Sequence, residues 1–245
     1  MTTNPISLDD IRAARARIAR SVIRTPLVRL NVDSTEIYLK LENLQPIGSF
    51  KLRGAGNAIA LATPEQLAKG VYTASAGNMA QGVAWNARRL GIPCTMVVPD
   101  HAPETKLAAI TRLGGKIIKV PFDDWWQVIV THQYPGQDGL FVHPVSDPSV
   151  MAGNGTIGLE ILEDLPNVDT ILVPYGGGVM DAFVPEGDLV PIVEPIALLR
   201  CELTRRVRDL GDADRRASEA KAAIRSLEYA LVIATGAVRD PQGAP

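Results

Sequence analysis

Short apolar segments alternate with helical segments through most of the chain, and this alternation limits its fold more than any other feature. The predicted strands cover residues 37–41, 70–74, 94–98, 116–120 and 170–174. The predicted helices cover residues 7–23, 54–61, 81–90, 104–113 and 125–131, and Ser7 is in position to cap the first of them. Strands and helices that alternate at this spacing indicate an α/β protein whose parallel sheets are covered by helices.

The end of the chain has a different pattern. Prolines at positions 185, 191 and 195 interrupt a short stretch that has no long periodic element. The charged, alanine-rich residues 198–230 follow and predict an amphipathic helix or a helical pair. We therefore expect residues 181–245 to form an atypical, partly helical tail.

The charge balance excludes several classes of partner. The chain has 25 Lys and Arg against 27 Asp and Glu, so it has no basic surface of the kind that binds nucleic acid or an anionic membrane. Its first ten residues are polar and acidic, and no apolar run is long enough to cross a bilayer. The two cysteines, Cys94 and Cys201, lack metal-site spacing and fit a reducing compartment. We expect a cytoplasmic protein whose partners are small molecules or copies of itself.

The segment GSFKLRG, residues 48–54, places Lys51 between glycines and an aromatic residue at the start of a predicted helix. A lysine amine becomes a useful nucleophile only when its pKa is lowered, and burial has that effect. An ordinary solvated lysine is the alternative, since most lysines are surface charges.

Two small-residue segments predict anion sites. ASAGNMAQG, residues 74–82, turns from a strand into a helix, where backbone amides and the helix dipole can hold a carboxylate or phosphate. VPYGGG, residues 173–178, lets backbone amides approach a phosphate closely. Ser75 and Asn78 could instead be plain helix caps, and the glycine run could be a plain turn. The three histidines lack metal-type spacing and are expected to be structural or surface residues: His101, His132 and His143.

Four motifs occur in order along the chain: SFKxRG, SAGNxAQG, AGxGT at residues 152–156, and VPxGGG. Together they resemble the serine/threonine dehydratases of the tryptophan-synthase-like pyridoxal-phosphate enzymes, over residues 11–178. The resemblance implies two parallel-sheet α/β domains. Residues 1–69 and 148–180 would form a larger, incomplete cofactor domain, and residues 70–147 a smaller one.

The resemblance also assigns roles to individual residues. Lys51 becomes the Schiff-base lysine and the catalytic residue. The residues that would hold pyridoxal 5'-phosphate are Phe50, Lys51, Asn78, Gly176, Gly177 and Gly178. The residues that would hold the substrate carboxylate are Ser75, Ala76, Gly77 and Asn78. Residues 154–156 look like the family's loop below the active site. Asn154 and Met79 depart from the usual Gln and His, and no metal ligands can be placed.

The implied function is dehydration and deamination of L-threonine or L-serine to a 2-keto acid and ammonia. Racemases of the same fold carry Ser where this chain has Ala76, which cannot transfer a proton, so elimination is favoured. A β-replacement synthase shares much of the machinery and stays open. A truncated, non-catalytic homologue is the third alternative, because the family's block after Gly178 is replaced by the tail. A homo-oligomer is one option for the assembly.

Overall fold

The structure, a computed structural model, describes residues 6–30, 36–168, 170–172 and 231–236. The helices in this part of the chain are α1 (Leu8–Ile18), α2 (Lys51–Ala60), α3 (Pro64–Ala68), α4 (Asn78–Leu90), α5 (Glu104–Arg112), α6 (Phe122–Thr131) and α7 (Pro148–Asp164). The strands are β1 (Leu27–Arg29), β2 (Glu36–Leu41), β3 (Val71–Ala74), β4 (Cys94–Pro99), β5 (Lys116–Val120), β6 (Leu140–Phe141), β7 (Thr170–Leu172) and β8 (Leu231–Gly236). The α/β class is therefore confirmed, and Ser7 caps α1 in a capping box with Asp10.

One sheet has the strand order β5-β4-β3-β6, and each of its pairs is parallel. Every residue of β3 and of β4 is buried, as expected of central strands covered by helices on both faces. Apolar residues of α4, including Val83 and Ala84, pack in the same core as Met96 and Val98 of β4. This sheet agrees with the parallel arrangement that the sequence pattern predicts.

The second sheet has the order β1-β2-β8-β7, and its pairs are antiparallel. Strand β8 comes from the tail, lies between β2 and β7, and pairs with all six residues of β2. This arrangement differs from the parallel sheet that we expected here, because a tail strand of opposite direction separates β2 from β7. The predicted helix at residues 198–230 lies outside the described residues.

Helices α1, α2, α4 and α7 pack together next to the sheets, and small residues let α2 and α7 approach closely. A Cβ built on Gly153 of α7 would lie 2.6 Å from the carbonyl oxygen of Arg53 in α2. Residues 154–156 are part of α7 rather than a loop, which corrects our expectation. The glycines of this segment suggested a turn, but here they serve close helix packing.

Four buried charged side chains connect α2 to both β2 and α7. The guanidinium of Arg53 donates to Glu42 at 2.8 Å and to Glu160 at 2.7 and 2.9 Å. Lys40 lies 2.6 Å from the second carboxylate oxygen of Glu160. The two positive charges are matched by two negative charges, and their attraction and hydrogen bonds offset the cost of removing the four ions from water. No helix in the described ranges is both long and apolar enough to cross a membrane.

Replacing Gly153 with alanine should destabilise the protein, although alanine favours helix formation. The new methyl group would collide with the Arg53 carbonyl, and the free energy of unfolding in urea should fall by about 1–3 kcal/mol. Gly56→Ala is the matched control, because its Cβ would meet only side-chain atoms of Asn86 and Ser21 at 3.3 Å. Equal stability of Gly153→Ala and wild type would contradict the close α2–α7 contact.

Candidate active site

Lys51 is the first residue of α2, directly after a tight turn. Gly48 has φ of 70°, a left-handed conformation that glycine adopts without strain. The buried hydroxyl of Ser49 accepts a hydrogen bond from the backbone amide of Lys51 at 3.3 Å. Phe50 packs against two apolar clusters of the core. The motif thus sets Lys51 at a helix start, next to a residue that both clusters hold in place.

The amine of Lys51 is partly shielded from bulk water. Its Nζ donates to the carbonyl oxygen of Pro144 at 3.1 Å and lies 5.4 Å from the centre of the Phe50 ring. Burial lowers the pKa of Lys51 from 10.5 to about 8. A substantial fraction of the amine is therefore neutral near physiological pH, as a nucleophile or a general base requires.

The segment after β3 forms the predicted turn into α4. The Ser75 hydroxyl accepts a hydrogen bond from the amide of Gly77 at 3.2 Å, and Asn78 begins the helix. A Cβ on Gly77 would meet no atom nearer than the Ser75 Oγ at 4.0 Å, so the space beside the Cα of Gly77 is open. The first amides of a helix have no acceptor within it, so they can serve an anion.

Helix α4 packs directly on the start of α2. A Cβ on Gly82 would lie 3.1 Å from the Lys51 carbonyl oxygen, which shows how closely the two helices approach. The structure therefore brings the lysine segment and the Ser75–Asn78 turn to neighbouring helix starts. Met79 is buried in the core and contributes no polar group.

The side chain of Asn154 accepts a hydrogen bond from the amide of Gly54 at 3.0 Å, so it ties α7 to α2. Gly176, Gly177 and Gly178 lie outside the described residues.

The sequence pattern did not reveal that Pro144 contacts Lys51, or that the neighbouring His143 is part of the site. Both lie in the connection between β6 and α7, 92 or more positions after Lys51 in the chain. His143 is buried, as expected of a structural histidine, whereas His101 is exposed. A backbone carbonyl carries no residue-type signal, so only the fold could place Pro144 at the lysine.

A profile of the pyridoxal-phosphate-dependent enzymes matches residues 18–182, well over half of the chain. The chain belongs to this family. An L-threonine ammonia-lyase from Thermotoga maritima is 48% identical over 179 residues, which are 71% of this chain and 44% of the relative. A catabolic L-threonine dehydratase from Staphylococcus aureus is 46% identical over 183 residues, 72% of this chain and 53% of the relative.

Solved structures agree with this membership. Maize serine racemase has a TM-score of 0.63 and 36% identity, over 68% of this chain and 52% of that one. Threonine deaminase isoform 2 from Solanum lycopersicum has a TM-score of 0.55 and 32% identity, over 69% and 52%. The chain spans about half the length of the relatives that it matches.

Replacing Lys51 with methionine should stabilise the cofactor-free protein at neutral pH. The lowered pKa means that the unfolded chain binds more protons than the folded one between pH 8 and 10.5, so wild-type stability rises with pH across that window. At pH 7 the variant should gain about 1–3 kcal/mol in urea unfolding, and the gain should shrink towards pH 10.5. Lys69→Met, at an exposed lysine, is the control. A pH-independent difference would refute the burial of the amine.

Proposed function

We propose that the protein binds pyridoxal 5'-phosphate through Lys51 and dehydrates and deaminates L-threonine or L-serine to a 2-keto acid and ammonia. The observation that carries the proposal is the partly buried Lys51 amine, with its lowered pKa, at the start of a helix that packs on α4, the helix that follows the Ser75–Asn78 turn. The names of the relatives support the same reaction.

The residues present fit the cofactor. When bound, pyridoxal phosphate supplies an electron sink for the charge left by loss of the α-proton. Lys51 offers a neutral amine to its aldehyde, Phe50 provides an apolar surface beside that amine, and Asn78 offers an amide to the ring hydroxyl. We assign the phosphate to Gly176, Gly177 and Gly178 by the family motif.

The substrate carboxylate is assigned to the turn formed by Ser75, Ala76, Gly77 and Asn78. The amides at the start of α4 and the helix dipole favour a negative group there. A carboxylate fixed at this point directs the α-carbon of the amino acid towards Lys51. Such orientation converts the proton transfer into an effectively intramolecular step.

Lys51 then has two tasks in the reaction. Nζ would hold the aldehyde of the cofactor in the resting protein, and the freed amine would take the α-proton of the substrate on Nζ during the reaction. The β-hydroxyl would leave as water by taking up one proton, which balances the α-proton taken by Nζ, and hydrolysis of the resulting enamine would give the keto acid and ammonia. The burial of Nζ supports this role, because a fully charged lysine could not accept a proton.

Ala76 favours elimination over inversion of the α-carbon. A racemase needs a second proton donor on the opposite face, and a methyl group cannot supply one. A β-replacement synthase would use the same lysine and turn, so product analysis has to separate it from a dehydratase.

The tail gives a specific reason to keep a non-catalytic homologue as the second candidate. Strand β8 occupies the place beside β2 in the sheet, and the chain covers only about half of its relatives' length. Such a protein would bind the cofactor without turning over the amino acid.

We further infer two domains. Residues 70–147 form the smaller one around the parallel sheet, and residues 1–69 with 148–180 form the larger one, whose strands β1, β2 and β7 share a sheet with β8 of the tail. The proposed partner is a small amino acid, and a homo-oligomer is compatible with the sequence. We propose a cytoplasmic location on the basis of the cysteine pattern.

Borohydride reduction of the protein incubated with pyridoxal phosphate should attach a stable pyridoxyl group to Lys51. Peptide mapping by mass spectrometry locates the group, and Lys51→Ala should abolish the labelling. Attachment to a different lysine would reject the site assignment. Labelling of Lys51 without ammonia release from either amino acid would favour the non-catalytic homologue.

Ammonia and keto acid should form from L-serine or L-threonine faster than the amino acids with an inverted α-carbon appear. A coupled assay for keto acid and chiral chromatography of the remaining amino acid measure the two rates on one sample. Ala76→Ser should raise the share of inversion, because it adds a hydroxyl that can transfer a proton. Inversion that outruns elimination in the wild type would reject the dehydratase reaction.

A further inference from the structure

The turn that joins β6 to α7 is built around the imidazole of His143. Only 6% of this residue is exposed, and its Nδ1 lies 3.0 Å from the amide nitrogen of Val145 and 2.8 Å from that of Ser146. Both amides are donors, so Nδ1 must carry a lone pair and the ring proton must be on Nε2. The turn therefore requires a neutral histidine of one tautomer.

The same turn presents the Pro144 carbonyl to Lys51. Pro144 follows His143, whose ring accepts the hydrogen bonds, and precedes Val145, whose amide donates the first of them. The direction of the Pro144 carbonyl is therefore fixed from both sides. The carbonyl oxygen of Pro144 accepts a hydrogen bond from the Lys51 amine at 3.1 Å. The other end of the turn is also fixed, because the Asp147 carboxylate caps α7 through the amide of Ser149 at 2.7 Å.

The groups around the imidazole decide its protonation. Burial is the largest cause that lowers the pKa of His143, and the nearby His132 and Lys51 act in the same direction. The His132 ring, at the end of α6, lies 4.8 Å away between ring centres. Asp147 and the backbone of Ile129 raise the pKa of His143, but the effects that lower it are larger.

We infer that His143 is a positioning residue for Lys51. Its Nδ1 holds residues 143–146 in the shape that directs the Pro144 carbonyl to the lysine amine and keeps that amine away from water. The functional meaning of this arrangement rests on the proposed role of Lys51. The geometry itself involves only the chain, so it can be tested without the cofactor.

Two substitutions at His143 distinguish the role of the hydrogen-bond acceptor from that of the imidazole ring itself. His143→Ala removes the acceptor, whereas His143→Asn keeps a side-chain oxygen that can accept from the two amides and that does not titrate. The apparent pKa of Lys51 is measured in the cofactor-free protein by competitive labelling of amines at a series of pH values, with mass spectrometry of the Lys51 peptide. Lys69, which is exposed, is the internal control.

The wild-type Lys51 should titrate at about 8, and His143→Asn should leave that value unchanged. His143→Ala should raise it by about one unit or more towards the ordinary lysine value, because burial is the cause of the lowered pKa and water would replace the Pro144 carbonyl as the acceptor of the amine. A folded His143→Ala protein with the wild-type lysine pKa would overturn the inference, as would an equal rise in both variants. If His143→Ala does not fold, the test rests on His143→Asn. An ordinary lysine pKa for Lys51 in that variant would overturn the inference.

A second measurement tests the neutral ring. The folded-state pKa of His143 is lowered, so its contribution to stability is present above the unfolded value of about 6.5 and is lost as the pH falls through the folded value. Urea unfolding should therefore show that the wild type loses stability relative to His143→Asn on acidification. Identical pH dependence would overturn the assignment of Nδ1 as an acceptor. Both measurements omit the cofactor, so failure to find the pyridoxyl group on Lys51 would reject the proposed function separately.

Discussion

The ion pairs of Arg53 are the interaction on which the arrangement of the site depends. Arg53 is two residues after Lys51 in α2, and its guanidinium binds a carboxylate from Glu42 after β2 and another from Glu160 of α7. Hydrogen bonds to these carboxylates overcome the effect of burial and raise the pKa of Arg53. Loss of either partner would leave a buried charge uncompensated, so the rotation of α2, and with it the direction of Lys51, is strongly determined.

Much of the parallel sheet could be predicted from the sequence, and so could the two segments that begin the site. Strands β3, β4 and β5 are short apolar runs between helical segments, and such local patterns survive in the fold. Lys51 and the Ser75–Asn78 turn were found because glycines and small residues interrupt those patterns at element boundaries. These signals are local, and they place residues on elements without giving the distances between the elements.

The remaining features depend on contacts that are distant in sequence. Helix α7 was missed because Gly153 and Gly155, which weaken helix propensity, are required where the helix packs against Arg53 and Ile11. The charges of Lys40, Glu42 and Glu160 look like surface residues until the fold brings them to Arg53. Strand β8 lies in the tail, directly after residues 198–230 whose composition indicated helix, and no strand was predicted there, so its pairing with β2 was not foreseen.

The pairing of β8 with β2 has a consequence for the order in which the protein folds. The β3–β6 sheet is closed by contacts within residues 71–141, so those strands can pair soon after they leave the ribosome. The β2–β8 ladder joins residues 36–41 to residues 231–236, a loop closure that spans most of the chain and slows folding. Until that segment has been synthesised, β2 has one edge without a partner, and the nascent chain is exposed to intermolecular strand pairing.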